Sequence, residues 1–134
     1  MPGLIGSGNC VLYHGSILSI SRSGRQTQKK DRVMNKVNWL SYGFDVYSPN
    51  TTWNDVPGIY IFTGLNAVGR WRAFYIGQAS SFKDRFANHE NWAAAVRLGA
   101  THVHALVVQQ AATRDNIEAE LIAACQPSLN VQLK

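Results

Sequence analysis

The sequence predicts a single α+β domain, and three observations carry that reading. Two short apolar runs, Gly58-Ile59-Tyr60-Ile61-Phe62 and Ala73-Phe74-Tyr75-Ile76-Gly77, are rich in β-branched and aromatic residues, with the turn formers Gly64, Asn66 and Gly69 between them. That combination reads as a β-hairpin. Helical spacing then takes over at 81–98, where Phe82 and Phe86 are four apart and mark one buried stripe. A third strand at 101–109 precedes an amphipathic helix opening near Thr113. The chain has 134 residues, which is room for one modest core.

The elements follow in chain order. Gly3, Gly6, Gly8 and Gly15 interrupt the start, leaving Val11-Leu12-Tyr13 and Ile17-Leu18-Ser19-Ile20 as short strand candidates. From Ser21 to Lys36 the chain turns basic, with Arg22, Arg25, Lys29, Lys30, Arg32 and Lys36 against Asp31 alone. Three readings stay open for this stretch: a solvated flexible extension, a phosphate-contacting arm, or an over-long reading frame whose natural start is Met34. Residues 1–36 are accordingly set apart as an N-terminal extension and 37–134 as the domain. The aromatics of 37–57, Trp39, Tyr42, Phe44, Tyr47 and Trp53 among them, are expected to cover the apolar side of the hairpin.

In the hairpin, neighbouring residues point to opposite faces. Tyr60 therefore shares a face with Phe62, and Ile59 with Ile61; Ala73 and Tyr75 are expected opposite Phe74 and Ile76. Ser80 and Ser81 are candidate N-caps for a helix from about Ser81 to His89, on which Arg85 and His89, four apart, share a face beside the phenylalanine stripe. Asn91 is a candidate cap for a second helix, 92–98, stopped by Gly99. In the third strand Val103, Ala105 and Val107 face one way and His102, His104, Leu106 and Val108 the other. His102 and His104 are spaced to share a metal, but no third ligand stands near, and they read as structural or solvated. Thr113 is the candidate N-cap of the last helix, with Asp115 in its first turn. On that wheel Ile117, Leu121, Ile122 and Cys125 form the apolar arc, and Glu118 falls inside it. An inward carboxylate is costly unless it is paired or binds a metal, so Glu118 is either a salt-bridge partner or a functional group. Glu120 lies outside the arc and reads as solvated. Pro127-Ser128-Leu129-Asn130 reads as an extended tail folding back on the domain.

Composition excludes some classes. No run approaches the roughly 20 apolar residues of a membrane span. Cys10 and Cys125 and four scattered histidines match no zinc-ligand spacing, and so few cysteines suit a reducing, cytoplasmic setting. A net charge of +5 and a pI near 9.5 favour a polyanionic partner.

Gly58-Ile59-Tyr60 followed by Tyr75-Ile76-Gly77 resembles the GIY-YIG nuclease family, which is named for these triplets. The resemblance covers roughly residues 57–131. Arg85 stands where that family has an arginine on its first helix, and His89 matches a histidine of one branch. Glu118-Ala119-Glu120-Leu121-Ile122 matches its glutamate two residues before a leucine-isoleucine pair, and Asn130 its late asparagine. The resemblance implies a small three-stranded antiparallel sheet flanked by helices and a divalent-metal-dependent endonuclease acting on DNA.

By the same resemblance Glu118 would hold one Mg2+ or Mn2+, a hard ion suited to oxygen ligands. Arg85 would pair with phosphate. Tyr60 would be the general base or would orient the attacking water, with His89 taking the proton onward. Tyr75 would bond phosphate or water, and Asn130 would fix the phosphate or the glutamate. Arg72, Gln78, Lys83 and Arg85 are the expected nucleic-acid contacts. Gln78 departs from the lysine many members carry after the second triplet, a charge that Lys83 replaces in part. No small-molecule cofactor and no membrane contact are expected. The competing reading is a nucleic-acid-binding module that keeps the fold and does not cut.

Overall fold

The computed structural model describes Leu12–Tyr13 and residues 35–133. Strands β1 (Leu12–Tyr13), β2 (Asn35–Trp39), β3 (Tyr42–Tyr47), β4 (Gly58–Leu65) and β5 (Arg70–Ala79) are followed by helices α1 (Phe82–Ala87) and α2 (Glu90–Leu98). Strand β6 (His102–Val107) and helices α3 (Ala111–Cys125) and α4 (Ser128–Leu133) complete the order. The readings of Ile17-Leu18-Ser19-Ile20 and of the basic 21–36 stretch as far as Met34 lie outside the described residues, whereas Asn35 and Lys36, expected in the extension, belong to β2, with Lys36 paired to Asp45 at 3.0 Å.

The α+β class holds, but the sheet exceeds the three strands expected. Its order is β1-β5-β4-β6-β3-β2, every pairing is antiparallel, and β1 adds only two residues at Trp71 and Arg70. The enlargement comes from 35–47, which forms a hairpin beside β6 rather than a cover for the other hairpin. Its alternation is visible in retrospect: Val37, Trp39, Phe44 and Val46 are buried while Lys36, Asn38 and Gly43 are exposed. Leu40 takes the positive φ of its tight turn.

Two cores lie on the two faces of the sheet. On one, Ile59, Ile61, Ile76, Phe44 and Trp39 pack against Ile117, Leu121 and Cys125 of α3. On the other, Tyr60, Phe62 and Phe74 meet Phe82 of α1, Ala95 of α2 and Leu129 of α4. The expected faces of β4 and β6 are those observed. In β5 the pairing shifts between Phe62 and Thr63, so Phe74 joins the face of Tyr75 and Ala73 that of Ile76. A bulge leaves one extra residue on a strand, which is why strict alternation fails there.

Several ends differ from expectation. Ser81 caps α1 as foreseen, accepting from the Asp84 N–H, but the helix stops at Ala87. His89, not Asn91, caps α2, while Gly99 ends it with a φ of 121°. Helix α3 begins at Ala111 after Gln110, so Thr113 lies inside it. The tail is helical, because Leu129 is drawn into the core. Cys125 is disulfide-bonded, which corrects the expectation of reduced cysteines; Cys10 falls outside the described residues. No helix among the described residues is long and apolar enough to cross a membrane.

His104 is structural. It is fully buried, its Nδ1 accepts the indole N–H of Trp39 at 2.9 Å, and its ring stands edge-on to Trp71 with centroids 4.6 Å apart. Burial, with His102 nearby, pushes its pKa down to about 3, so the folded protein holds it neutral while the unfolded chain protonates near the ordinary 6.5. Its contribution to stability is whole above pH 6.5 and is lost as pH falls toward 3, by up to about 1.4 kcal/mol per pH unit. Urea unfolding at pH 7 and pH 4.5 should therefore show a smaller acid loss in His104→Gln than in the intact protein. Equal losses would rule this out.

Candidate active site

The hairpin triplets owe their glycines to close packing. A Cβ on Gly77 would lie about 2.5 Å from the Tyr60 hydroxyl, inside any tolerable contact. Gly77 opposes Tyr60 across the β4–β5 pair, and its bare Cα lets the Tyr60 ring lie along the sheet. Gly58 has the same function toward the Phe82 ring and the Leu106 carbonyl.

Around Tyr60 stand three of the expected residues. The Tyr75 ring is 6.1 Å away on the same face, Arg85 Nε donates to the Tyr60 oxygen at 3.4 Å, and His89 Nε2 lies 2.6 Å from it. Phe86 and Phe62 close the pocket edge-on and tilted against the Tyr60 ring. Arg85 also meets Glu90 at 3.6 Å, an exposed pair of little strength that a phosphate can replace.

The cap of α2 decides the role of His89. Its Nδ1 accepts the Asn91 N–H at 3.1 Å, so the proton of the neutral ring is on Nε2. His89 therefore donates to Tyr60 instead of drawing a proton from it, which corrects the role expected for it. Burial first, and the Arg85 charge second, push the His89 pKa down to about 4. Burial also raises the Tyr60 pKa above that of a free phenol, against the lowering influence of Arg85. At neutral pH the Tyr60 hydroxyl thus keeps its proton, accepts two N–H groups and has its own O–H to offer.

Glu118 lies with a second group, on the α3 side of the sheet. It is half-buried. Gln78 Nε2 donates to Glu118 Oε1 and to Asp115 Oδ1, both at 2.7 Å. Gln78 Oε1 accepts from Arg114 Nε at 3.3 Å. The amide of Gln78 is thereby committed to side chains, not presented to phosphate as expected. Glu118, Asp115 and Asn130 line an open cleft of about 720 Å³. Asn130 accepts from the Ile76 N–H at 2.7 Å and donates to the Ile76 carbonyl at 2.8 Å. It clamps the edge of β5 to α4, in place of the expected grip on phosphate or glutamate. Lys83 and Arg72 are exposed, and Arg72 lies over the Phe74 ring. Glu120 accepts the Tyr42 hydroxyl at 2.7 Å.

The two groups flank one stretch of β5. Tyr75 and Gly77 face Tyr60, Gln78 faces Glu118, and the Ile76 backbone meets Asn130 at the edge. From Tyr75 to Gln78 is about 10 Å of strand at roughly 3.3 Å per residue. The sequence reading leaves out Arg114 and gives Asp115 only a place in the first turn of the helix, although they precede Glu118 by four and three positions, the spacings that share a helix face. Among the described residues no three His, Cys, Asp or Glu side chains group together. Asp115 and Glu118 are carboxylates, the donor type a magnesium-like ion takes, binding through one or two of them and keeping several waters.

The chain is similar in backbone to the GIY-YIG N-terminal endonuclease domain of UvrC from Thermotoga maritima, a point mutant bound to its catalytic divalent cation. The identity is 24% over 56% of this chain and 82% of that chain, with a TM-score of 0.44. No family model matches the chain, and no curated protein matches it.

Nitrogen-15 NMR of the His89 ring should show the Nε2–H tautomer from neutral pH down to about pH 4. An Nδ1–H tautomer, or titration at the ordinary 6.5, would contradict the assignment. Gly77→Ala, by pushing the Tyr60 ring away, should move the His89 pKa back toward 6.5.

Proposed function

We propose that the protein is a divalent-metal-dependent endonuclease that hydrolyses DNA phosphodiester bonds. The observation that supports this most is the Tyr60 hydroxyl held between the Arg85 guanidinium and the His89 Nε2, beside strand β5, whose other side faces Glu118. Hydrolysis needs a placed water, shielding of phosphate charge and support for the leaving oxygen. Arg85 exchanges Glu90 for a non-bridging phosphate oxygen. Tyr60, protonated and doubly hydrogen-bonded, orients the attacking water, and Tyr75 donates to phosphate or water beside it. The Arg85 charge and the His89 N–H stabilise any negative charge that develops on the Tyr60 oxygen. Glu118, with Asp115 beside it, would hold the cation, which would shield the phosphate and stabilise the leaving oxygen. Lys83 and Arg72, both exposed, extend the contact along the backbone of the substrate. The net charge of +5 favours such a polyanion and makes binding weaker in high salt.

The second reading is a nucleic-acid-binding module of this fold that does not cut. One observation favours it: the bonds of Glu118 run to Gln78, apart from the tyrosine group. A nicking assay separates the two. Supercoiled plasmid and single-stranded DNA are incubated with and without Mg2+ or Mn2+, beside Glu118→Ala and Tyr60→Phe. The intact protein should nick only with metal, and each variant should lose about 100-fold or more of the rate. DNA binding without nicking would establish the second reading. Cutting that survives both substitutions would place the site elsewhere.

A further inference from the structure

The position after the second triplet holds an uncharged side chain with an unusual set of partners. Gln78 uses each of its amide groups: two carboxylates on the nitrogen and a guanidinium on the oxygen. An amide that turns over would aim its oxygen at Asp115 and Glu118 and its N–H groups at a cation, so only one orientation is compatible with the neighbours. Arg114 enforces that orientation, and it is itself held by the Val108 and Gln109 carbonyls, each 3.1 Å from its Nη1. The chain of bonds therefore runs from the backbone after β6, through Arg114 and Gln78, to one oxygen of Glu118. Among the described residues the other Glu118 oxygen has no hydrogen-bond partner.

We propose that Gln78 and Arg114 are positioning residues that hold Glu118 for a divalent cation, with Arg114 setting the amide and the amide setting the carboxylate. The proposal rests on the reading of Glu118 as the cation ligand. Partners that orient a ligating carboxylate commonly change metal affinity by about 10–100-fold when removed. Asp115 enters as the second carboxylate on the same amide, which keeps that amide from rotating with Glu118 alone.

The test is Mn2+ affinity, read by electron paramagnetic resonance of free Mn2+ on the full chain without DNA. Two variants keep the local charge. Gln78→Met is close in shape and lacks the amide, and Arg114→Lys retains the cation but loses the Nε–H. Each should weaken Mn2+ binding about 10-fold or more while urea midpoints show the protein folded. Glu118→Gln, the control on the functional reading, should abolish binding. Binding by the intact protein that Glu118→Gln abolishes, with Gln78→Met and Arg114→Lys unchanged, would overturn the positioning role alone. Tighter binding in Gln78→Met would also overturn it, since the amide would then be a competitor for the site. No Mn2+ bound by the intact protein would overturn both the proposal and the cation reading beneath it.

Discussion

The close approach of the Tyr60 ring to Gly77 is the constraint on which the candidate site depends. It exists because β4 and β5 are paired in a register that sets these residues opposite each other, and because one of them has no Cβ. The ring then lies flat enough for Phe86 and His89 to stand edge-on against it. Burial of the hydroxyl follows from that packing. A buried hydroxyl without partners would cost a few kcal/mol, and Arg85 and His89 remove that cost by supplying donors. The polar geometry of the site is thus a consequence of its apolar packing.

Strand β5 does the rest by serving two faces and an edge at once. Alternation sends Tyr75 and Gln78 to opposite sides, so the tyrosine group and the carboxylate group are built on different helices and share one strand. An edge strand leaves backbone N–H and C=O groups without a neighbour. Beyond the two residues covered by β1, Asn130 takes one such pair at Ile76 and so joins α4 to the strand. That single side chain satisfies backbone, closes the edge and sets the wall of the cleft.

Much of this was legible in the sequence, and the failures have physical causes. The two triplets were read as paired strands because β-branched and aromatic residues bracketed turn formers. Tyr60, Tyr75, Arg85 and His89 were brought together as expected, since strand and helix periods fix which side chains share a face. The hairpin at 35–47 differs from the expected cover because its aromatic residues alternate with polar ones along two strands, and aromatic side chains suit both strands and the layers packed on them. His89 was placed on the helix of Arg85, whereas a histidine side chain can cap, and here its Nδ1 opens the next helix. That cap settles the tautomer, which no spacing rule reveals. Glu118 stands out by its place on the wheel, but its partner, Gln78, comes from β5. Those long-range contacts, Gln78 to Glu118 and Asn130 to Ile76, depend on tertiary packing.

The central claim is that the groups on the two sides of β5 act on one phosphate. A crystal structure of Tyr60→Phe with a short DNA duplex and Mn2+, phased to show the anomalous signal of the metal, tests it most directly. The account predicts one Mn2+ on Glu118 and a single phosphate that touches both that ion and the Arg85 guanidinium. A phosphate on Arg85 with no metal at Glu118, or a metal bound away from both, would contradict it.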